Sequence, residues 1–580
     1  MPLSKRSKLS VVLSLVIILT VVSGFMVMGI SSRGSATHAA STASVSYNTA
    51  NGKLAGNPVQ LGGQQPVNAA PQQVYAAPSH FGKPNVNATT AAARNAPAAD
   101  GLSVQQSATT LLHNFKGLSG MDNANVAGIL VHPPDQGLCV GHDASIAGNP
   151  EVVFEIINLV IVEYNVNGAV QKSALLPSGK ENINNFFNEP NLPFFGGELV
   201  SDPRCIYDQP TDTFFLTALA ACSPAVGCTT ALESHIDLIV YNATSGAAKE
   251  YKIDDTFPTH PGCPCLGDQE KIGVDNHAVY ESVDEFQDWA DGGTIENGAD
   301  VFIISKPQLV AQVPANFTAF TDLAIGGIVV TSLQPTISTS ATNTEFLANS
   351  FPFLDPAQTQ PNPVANTLGF WKVTGDSNVT SGNFNAVVIS AKIVSSESYA
   401  FPVAAVSTGS GARRSSAFLN PDDSRLQTCQ FVSGDVWCAL STAIAIKNDP
   451  LTRDGVAWFE LSTSGNIAAQ GYVAKAGSYL IYPAIVHSAS GSTGIVFTLT
   501  SGSTNPSAAY VFAGSGTAFG GVKIAALGAS PSTDGASRWG DYSFAALDPN
   551  GTDLWMATEY VPQGFQNPIT NFGTRVFDLA

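Results

Sequence analysis

Beyond about residue 110, the chain repeats one pattern of apolar and polar positions. The stretch SRWGDYSFAALDPNGTDLWMATEYV, which begins at Ser537, has a polar start, a short apolar run, a turn at Pro549-Asn550-Gly551 and a return through alternating apolar residues. Two apolar segments around such a turn predict a β-hairpin. The pattern recurs from Ser201, Gly267, Asp423 and Tyr482, and in weaker form from Val140 and Ser332.

The spacing of the predicted turns gives the length of the repeat. The residues that enter the turns are Asp143, Asp208, Asp275, Ser338, Val432, His487 and Asp548. They lie roughly 60 residues apart, a spacing that suits one four-stranded propeller blade with its loops and is too long for the common solenoids. The longer step from Ser338 to Val432 could hold a further unit. We therefore predict an all-β protein, a β-propeller with seven blades, and keep six or eight blades as alternatives.

A row of β-sandwich domains is the competing architecture. It would place Pro- or Gly-rich linkers between units of about 100 residues, and only the segment 407–416 resembles such a linker. The shorter repeat favours the propeller. The stretch FGTRVFDLA, which ends at Ala580, is expected to complete a blade beside the first strand of the domain, which we place at residues 111–580.

The N-terminal region predicts export. Lys5, Arg6 and Lys8 precede an uncharged apolar segment at residues 11–30, which is long enough to cross a bilayer as a helix. We predict a signal peptide or signal-anchor helix over residues 1–30, so that the propeller lies outside the cell, either secreted or anchored by residues 11–30. Residues 31–110 are rich in small and polar residues and predict a disordered, flexible stalk.

Composition narrows the classes of partner. Charged residues make up 12% of the chain and its formal net charge is -19. Long amphipathic helices are disfavoured, and nucleic-acid binding is excluded because it needs a surplus of Lys and Arg. The expected partners are a glycan or a cell-surface protein, with membrane contact only through the N-terminal segment. The protein is expected to be a monomer.

All eight cysteines lie beyond the stalk, as expected for disulfides in an exported protein. Cys429 and Cys438 flank a predicted hairpin turn and Cys222 and Cys228 could close a loop, so these are the two candidate pairs. The segment HPGCPCLGD could instead hold a metal. Its single Cys-x-Cys lacks the second pair that makes zinc spacing specific, so disulfides are favoured and no metal site is assigned.

An acidic stretch, ESVDEFQDWADGG from Glu281 to Gly293, contains oxygen ligands that would suit calcium. It lacks the spacing of an EF-hand loop, so a solvated loop is the favoured interpretation. No cofactor is predicted, and a structural calcium ion is kept as an alternative.

The chain from about Leu111 to Ala580 resembles exported bacterial sialidase-like (BNR-type) propeller proteins, most of which have no assigned activity. The resemblance rests on HPPDQGLCVGHD, SDPRCIYD, DDSRLQ, RWGDYSFAALDPNGTDLW and FGTRVFDL. It implies the propeller fold and says little about function. One departure is that the strict Asp-box of true sialidases, Ser-x-Asp-x-Gly-x-x-Trp, is absent, and DPNGTDLW only approximates it.

The candidate catalytic and ligand-binding residues lie at the starts of the predicted inner strands. If these strands surround a central channel, their first residues converge on one mouth of it. The candidate catalytic residues are Asp202, Asp268, Asp541 and Tyr542, and the candidate ligand-binding residues are Arg204, Arg425, Tyr482 and Arg538. Paired carboxylates, a tyrosine and arginines are the groups that a glycosidase uses. The same residues could equally stabilise the junction between blades, and this structural role is favoured.

No nucleophile elbow, zinc-protease motif or P-loop occurs in the sequence. The predicted function is therefore an extracellular or cell-surface binding module of unknown ligand, and an enzyme is not favoured. A sialidase-like glycoside hydrolase is the first alternative, and a structural envelope protein is the second.

Overall fold

A computed structural model describes residues 41–42, 44–59, 74–76, 98–99, 111–189, 198–222, 233–257, 260, 262–287, 296–351, 364–407, 418–533, 538–564 and 570–580. Strands dominate these ranges. The first seven strands are β1 (Ser41–Thr42), β2 (Val45–Leu54), β3 (Asn57–Pro58), β4 (Val74–Ala76), β5 (Ala98–Ala99), β6 (Leu111–Ser119) and β7 (Leu130–His132).

Seven groups of four antiparallel strands follow within the described ranges, and we number these sheets 1 to 7 along the chain. Sheet 1 consists of β8 (Gly137–His142), β9 (Glu151–Ile157), β10 (Val160–Asn165) and β11 (Lys180–Asn182). Sheet 2 consists of β12 (Leu199–Asp208), β13 (Thr213–Cys222), β14 (Glu233–Asn242) and β15 (Ala247–Asp254). Sheet 3 consists of β16 (Leu266–Val274), β17 (Ala278–Phe286), β18 (Glu296–Ser305) and β19 (Ala315–Ile325).

Sheet 3 is followed by β20 (Ile328–Val329), which pairs with β19. Sheet 4 consists of β21 (Gln334–Ser338), β22 (Glu345–Ser350), β23 (Val364–Thr374) and β24 (Val388–Ala400), and is followed by the short pair β25 (Ala405–Val406) and β26 (Phe418–Leu419). Sheet 5 consists of β27 (Leu426–Val432), β28 (Asp435–Ile446), β29 (Thr452–Ser462) and β30 (Ile467–Val473).

Sheet 6 consists of β31 (Tyr479–His487), β32 (Thr493–Ser501), β33 (Thr504–Ala513) and β34 (Lys523–Ala526). Sheet 7 consists of β35 (Phe544–Leu547), β36 (Leu554–Tyr560) and β37 (Gly573–Leu579), with β6 as its fourth strand. The helices of the described part have at most six residues each. They are α1 (Gly120–Asp122), α2 (Ile183–Phe186), α3 (Lys306–Val310), a π turn at Asn123–Ala127, and 3-10 helices at Gln209–Thr211, Asp376–Ser381 and Phe384–Ala386.

The first strands of the sheets lie next to one another. Parallel bridges join β16 to β21 and β21 to β27. Contacts also join β8 to β12, β12 to β16, β27 to β31, β31 to β35, and β35 back to β8. The strands approach closely: a Cβ atom on Gly137 would lie 2.8 Å from the carbonyl oxygen of Pro203. This is the arrangement of a β-propeller, with β8, β12, β16, β21, β27, β31 and β35 as the inner strands.

Hydrophobic side chains fill the junctions between consecutive sheets. Phe154 of sheet 1 packs edge-on against Phe214 of sheet 2, with ring centroids 4.8 Å apart. Similar buried clusters lie between sheets 2 and 3, 3 and 4, 4 and 5, 5 and 6, and 6 and 7. A further cluster, which includes Trp555 of sheet 7 and Val153 of sheet 1, joins the two ends of the series.

The predicted hairpins are confirmed. Each of the seven predicted turn residues lies within one residue of the end of an inner strand. The predicted closing strand is also confirmed, because β37 pairs antiparallel with β6. The long step between Ser338 and Val432 contains the 13-residue strand β24 and the β25–β26 pair. The described residues of this step hold no further four-stranded sheet.

The predicted stalk differs in part from the structure. Strand β2 pairs with β19 along its length, and β3 pairs with the outer strand β15. The prediction of flexibility is therefore wrong for residues 45–58, because backbone hydrogen bonding to a sheet edge orders a segment whose side chains are mostly polar. The apolar segment 11–30 lies outside the described residues. In the part of the chain that is described, no helix has the length and apolar character needed to span a membrane.

Disulfides link neighbouring strands. Cys139 of β8 is bonded to Cys205 of β12, which joins sheets 1 and 2. The predicted pair Cys429–Cys438 is confirmed and lies within sheet 5, and Cys263 is bonded to Cys265. Cys222 is disulfide-bonded, but its predicted partner Cys228 lies outside the described residues, so that pair stays a prediction.

We predict that the disulfide between sheets stabilises the fold more than the disulfide within sheet 5. The Cys139–Cys205 bond spans 66 residues and the Cys429–Cys438 bond spans 9. Loop-closure entropy gives about 4 kcal/mol for the first and about 2.5 kcal/mol for the second. Urea unfolding of the double alanine variant of each pair should therefore show the larger loss for Cys139→Ala/Cys205→Ala. An equal or smaller loss would show that unfolded-chain entropy does not govern the difference.

Candidate functional site

The inner strands share an unusual backbone feature at their starts. Asp202, Gln269 and Tyr482 have φ values of 53°, 57° and 54°, and the register of β12, β16 and β31 shifts at these residues. Asp135, Ser332 and Asp422 adopt the same left-handed conformation just before β8, β21 and β27. This conformation is unfavourable for residues other than glycine. Its recurrence in six sheets indicates that the fold imposes it where the inner strands converge.

Side chains from these positions and from the segment before β35 contact one another. The guanidinium carbon of Arg204 lies 3.5 Å from the ring centroid of Tyr542, which is a close cation–π contact. The hydroxyl of Tyr542 lies 3.4 Å from Oδ2 of Asp202. The backbone N–H of Asp541 donates to Oδ1 of Asp135 at 2.8 Å. Sheets 1, 2 and 7 therefore meet at one polar cluster, which we call the inner-strand cluster. It contains Asp135, Asp202, Arg204, Asp541 and Tyr542.

Asn158 connects two members of the inner-strand cluster. Its side-chain amide donates to Oδ2 of Asp135, and its carbonyl oxygen accepts the backbone N–H of Asp202 at 2.9 Å. The same amide donates to the carbonyl oxygen of Pro133. A single buried amide thus fixes the starts of two inner strands relative to each other.

Two of the three arginines form ion pairs with carboxylates, and the third donates to a backbone carbonyl. Arg425 donates two hydrogen bonds to the carboxylate of Asp423, at 2.9 and 2.6 Å, and Arg538 donates to Oδ2 of Asp541 at 2.7 Å. Arg204 donates from Nε to the carbonyl oxygen of Glu270 at 3.1 Å. Since bidentate and charge-assisted bonds are the strong ones, Arg425 in particular is committed to its own carboxylate.

Carboxyl groups outnumber the arginines in this cluster, and burial raises the pKa values of three of these carboxyl groups. Burial, with the nearby charges of Asp268 and Asp541, raises the pKa of Asp202 to about 7, although Arg204 and a hydrogen bond from Asp135 oppose the shift. Burial raises the pKa of Asp422 to about 7 against the effect of Arg425. Burial and the charges of Asp541 and Asp202 raise the pKa of Asp135 well above its ordinary value. Protons are therefore retained here at a pH where exposed carboxyls have lost them.

Two further buried acids lie near Arg204. Glu270 and Glu281 are fully buried, and neither carboxyl has a hydrogen-bond partner among the described residues. Burial raises the pKa of both, and Arg204 lowers it. Nη1 of Arg204 is likewise buried without a hydrogen bond in the described part of the chain.

The most accessible pair in the cluster is Arg538 and Asp541. Their side chains are 13% and 18% exposed, whereas that of Arg425 is 3% exposed. Tyr482 is buried, and its hydroxyl donates to the carbonyl oxygen of Asn420 at 2.8 Å. Arg538 and Asp541 are therefore the arginine–carboxylate pair of the cluster that solvent can reach.

A separate cavity of about 130 Å³ lies at the opposite ends of the inner strands. It is lined by turn residues, among them Asp208, Asp275, Ser338, Thr339 and Asp548. Four of these are predicted turn residues, and three of the four carry a carboxyl group. The cavity belongs to the end of the inner strands away from Asp202 and Asp541.

The structure brings all eight predicted site residues into or beside the inner-strand cluster. Asp268 is displaced by one position: Gln269, and not Asp268, holds the left-handed position that corresponds to Asp202. Strand β12 carries the same bulge as β16, so the offset arises because the aspartate of β16 stands one residue earlier than that of β12. The catalytic and binding roles assigned to the eight residues remain predictions.

Sequence analysis missed Asp135, Asn158, Glu270 and Asp422. Asp135 stands in HPPDQGLCVGHD near the start of an inner strand, as Asp202 does in its own repeat, so comparison of the repeats could have found it. The prediction of a solvated acidic loop is wrong for residues 281–286, because Glu281, Asp284 and Glu285 are buried in β17. Residues 288–293 of that stretch lie outside the described residues.

Comparison with known proteins yields no family. No family model matches the chain, and no curated protein matches it. Similar solved structures include the subtype N10 neuraminidase-like protein of A/little yellow-shouldered bat/Guatemala, with 9% identity, a TM-score of 0.34 and coverage of 66% of this chain and 94% of that chain. The sialidase of Trypanosoma rangeli in complex with sialic acid has 10% identity, a TM-score of 0.31 and coverage of 65% and 54%.

An α-L-arabinofuranosidase of Fusarium graminearum is 9% identical with a TM-score of 0.29, and the match covers 81% of this chain and 98% of that one. At this level of similarity these structures carry no argument about the activity of the chain. The fold described above rests on the strand pairing and on the packing between the sheets.

We predict that Asp202→Asn weakens the pH dependence of stability. Asp202 keeps its proton up to about pH 7 in the folded protein and loses it near its ordinary pKa of 3.8 when unfolded. The wild-type stability should therefore fall as the pH rises from about 4 to 7. Asparagine imitates the protonated form and tolerates the left-handed backbone. The variant should match the wild type near pH 4 and be more stable at pH 8, by up to about 4 kcal/mol.

Urea unfolding at both pH values measures this difference, and Asp254→Asn, at the exposed end of β15, serves as the control. A variant that is less stable than the wild type at pH 8 would show that the Asp202 carboxylate stabilises the cluster.

Proposed function

We propose that the protein is an extracellular binding module that recognises a neutral, hydroxyl-rich ligand, such as a carbohydrate, at the mouth formed by the inner-strand cluster. We infer that the seven sheets close into a seven-bladed propeller and that this rigid ring holds the mouth in place. The observation that carries the proposal is the convergence of carboxyl groups from several sheets on one cluster in which Arg425 and Arg538 are already paired with carboxylates.

The chemistry of the accessible pair supports a sugar-like ligand. Asp541 offers carboxylate oxygens that accept hydrogen bonds from hydroxyl groups, and Arg538 offers N–H groups that donate to them. The two side chains are 2.7 Å apart and partly exposed. Adjacent acceptors and donors of this kind suit the vicinal hydroxyls of a sugar ring.

The electrostatic balance argues against an acidic sugar. Asp423 pairs with Arg425 and Asp541 pairs with Arg538. A carboxylated ligand would have to compete with these internal carboxylates and would lie beside their negative charges. Like charges at close range disfavour such a ligand. The proposed specificity therefore differs from that of a sialic-acid-binding site.

A glycoside hydrolase is the second candidate. Such enzymes need one carboxyl group that is protonated near neutral pH and a second that is ionised, with the two groups about 5 to 9.5 Å apart. Asp202, with its pKa of about 7, fits the first role, and Asp541 is available for the second. A purely structural ring is the third candidate, and the internal pairing of Arg425 and Arg538 favours it over catalysis.

The remaining proposals concern location and assembly. The protein is proposed to be exported, either secreted or anchored by residues 11–30 with the propeller outside, and to act as a monomer on a glycan or cell-surface protein. The basic residues before the apolar segment support this orientation.

We predict that a glycan array probed with the purified full chain will show binding to neutral glycans and weaker binding to sialylated or uronic-acid glycans. Asp541→Ala removes acceptors at the mouth, so it should weaken the binding of a neutral hit about tenfold, which is the loss expected for hydrogen bonds to a charged group. Titration calorimetry measures the change. Asp553→Asn, in the turn at the other end of the β35–β36 hairpin, is the matched control and should bind as the wild type does.

Preferential binding of acidic glycans would contradict the proposed specificity. An array without hits would favour the structural candidate.

We also predict that incubation with the array hits releases no free sugar. Chromatography of the reaction mixture after prolonged incubation checks this. Release that disappears in Asp541→Asn, while the variant still binds the glycan, would replace the binding module with the glycoside hydrolase as the function.

A further inference from the structure

Three carboxyl groups meet at the outer half of sheet 3, away from the inner-strand cluster. They are Glu285 near the end of β17, Asp300 in β18 and Asp322 in β19. One ligand oxygen of each lies within 4.8 Å of the others. The strands are neighbours in the sheet, so the arrangement is built into its register.

The group is buried and lacks a basic partner of fixed charge. Glu285 and Asp300 are fully buried. Among the described residues, no lysine or arginine forms an ion pair with any of the three carboxyls, and the neighbouring ring is that of His260, whose Nδ1 lies 2.8 Å from Oε2 of Glu285. Buried carboxylates of like charge are unfavourable unless a proton or a cation accompanies them.

One oxygen of Asp300 accepts no hydrogen bond from an N–H group within the described residues, and the neighbouring group of the Asp300 carboxyl is the carboxyl of Glu285. Oδ1 of Asp300 accepts the backbone N–H of Asp322 at 2.8 Å, whereas the buried Oδ2 accepts no such bond. Glu285 uses both oxygens, one towards His260 and one towards the side-chain amide of Asn297. The backbone of Asp322 has a φ of 54°, which is unfavourable for aspartate and tightens the chain around this point. An oriented, buried oxygen that accepts no N–H hydrogen bond and lies beside two other carboxyls is a ligand position.

The spacing suits a hard divalent cation. Calcium binds carboxylate oxygens at about 2.3–2.6 Å, so two oxygens on opposite sides of the ion lie about 4.6–5.2 Å apart. Three oxygens within 4.8 Å of one another can therefore surround one ion. The hydrogen bond from His260 to Glu285 would orient that ligand from outside the site.

We propose that Glu285, Asp300 and Asp322 bind one calcium ion, which fastens the N-terminal strand β2 to sheet 3. The link to β2 is Asn48, whose side-chain amide donates to Oδ2 of Asp322 at 2.6 Å. Strand β2 pairs with β19 on both sides of this residue, and its register shifts between Thr321 and Ala324, next to Asp322. An ion that holds the Asp322 carboxylate in place would therefore also stabilise its hydrogen bond with Asn48, which attaches β2 to sheet 3.

The proposal is independent of the ligand proposed for the inner-strand cluster. It concerns other residues in sheet 3, and its tests measure cation binding and not glycan binding. Glycan binding can fail without affecting it, and the reverse is also true.

The experiment uses the full chain in detergent, freed of metal with a chelator. Equilibrium dialysis against calcium at up to about 1 mM, the range of extracellular sites, should show one ion per chain. The melting temperature should rise by about 2–5 °C at saturation. Hydrogen exchange of the backbone amides in Val45–Leu54 should slow at least several-fold on calcium addition. Parallel dialysis against magnesium and manganese tests the choice of ion.

Asp300→Asn should abolish the calcium-dependent shift while keeping the fold, because asparagine retains the acceptor for the N–H of Asp322 and removes a buried charge. Asp454→Asn is the matched control. Asp454 is also fully buried, with one oxygen that accepts a backbone N–H, from Val403, and one oxygen without a hydrogen bond among the described residues. The control variant should keep the full calcium shift.

If Asp300→Asn fails to fold, Asp322→Asn replaces it, since that side chain is 23% exposed and its left-handed backbone suits asparagine. Wild-type protein that binds no calcium, or an asparagine variant at Asp300 or Asp322 that keeps the full shift, would overturn the proposal. Binding of magnesium or manganese with no binding of calcium would overturn the assignment of the ion.

Discussion

Burial on both faces of every sheet is the constraint on which the structure depends. The second strand of sheet 7 shows it: Trp555 packs into the cluster shared with sheet 1, and Met556 packs into the cluster shared with sheet 6. A sheet that is apolar on both faces needs a neighbour on each side, and the first and last sheets of an open row would each leave one face in water. The contact between sheets 7 and 1 removes that exposure.

The same packing crowds the first strands together and so creates the polar cluster. The backbone at the start of each inner strand must turn sharply, and six of these starts do so through a left-handed residue. Polar groups placed there lie too far from bulk solvent to be fully hydrated. The cluster remains stable because Asn158 joins two of the strand starts, Asp423 and Asp541 neutralise Arg425 and Arg538, and the raised pKa values of Asp135 and Asp202 leave protons in place. Structural needs therefore account for much of the chemistry found here.

Much of the fold could be predicted from the sequence because hairpins and buried strands leave a local pattern. The turn residues, the bond between Cys429 and Cys438 and the pairing of β37 with β6 all follow from that pattern. The strand Val45–Leu54 could not be predicted, since it joins a sheet edge through backbone hydrogen bonds that any sequence can make. The grouping of Glu285, Asp300 and Asp322 depends on the register of three strands, which single residues do not reveal. The offset of Asp268 arose because this aspartate stands one residue before the position that corresponds to Asp202, where the sequence has Gln269.

The mixed origin of sheet 7 has a consequence for biosynthesis. Its outer strand β6 comes from the beginning of the propeller domain, and its other three strands come from the end. A nascent chain that leaves the ribosome or an export channel in order would carry β6 without its partner while sheets 1 to 6 are made. During the same interval the apolar face of sheet 1 that packs against Trp555 would stay exposed. Completion of sheet 7 therefore depends on the seven-residue strand β37, and until this strand is made the edge of β6 has no partner in sheet 7.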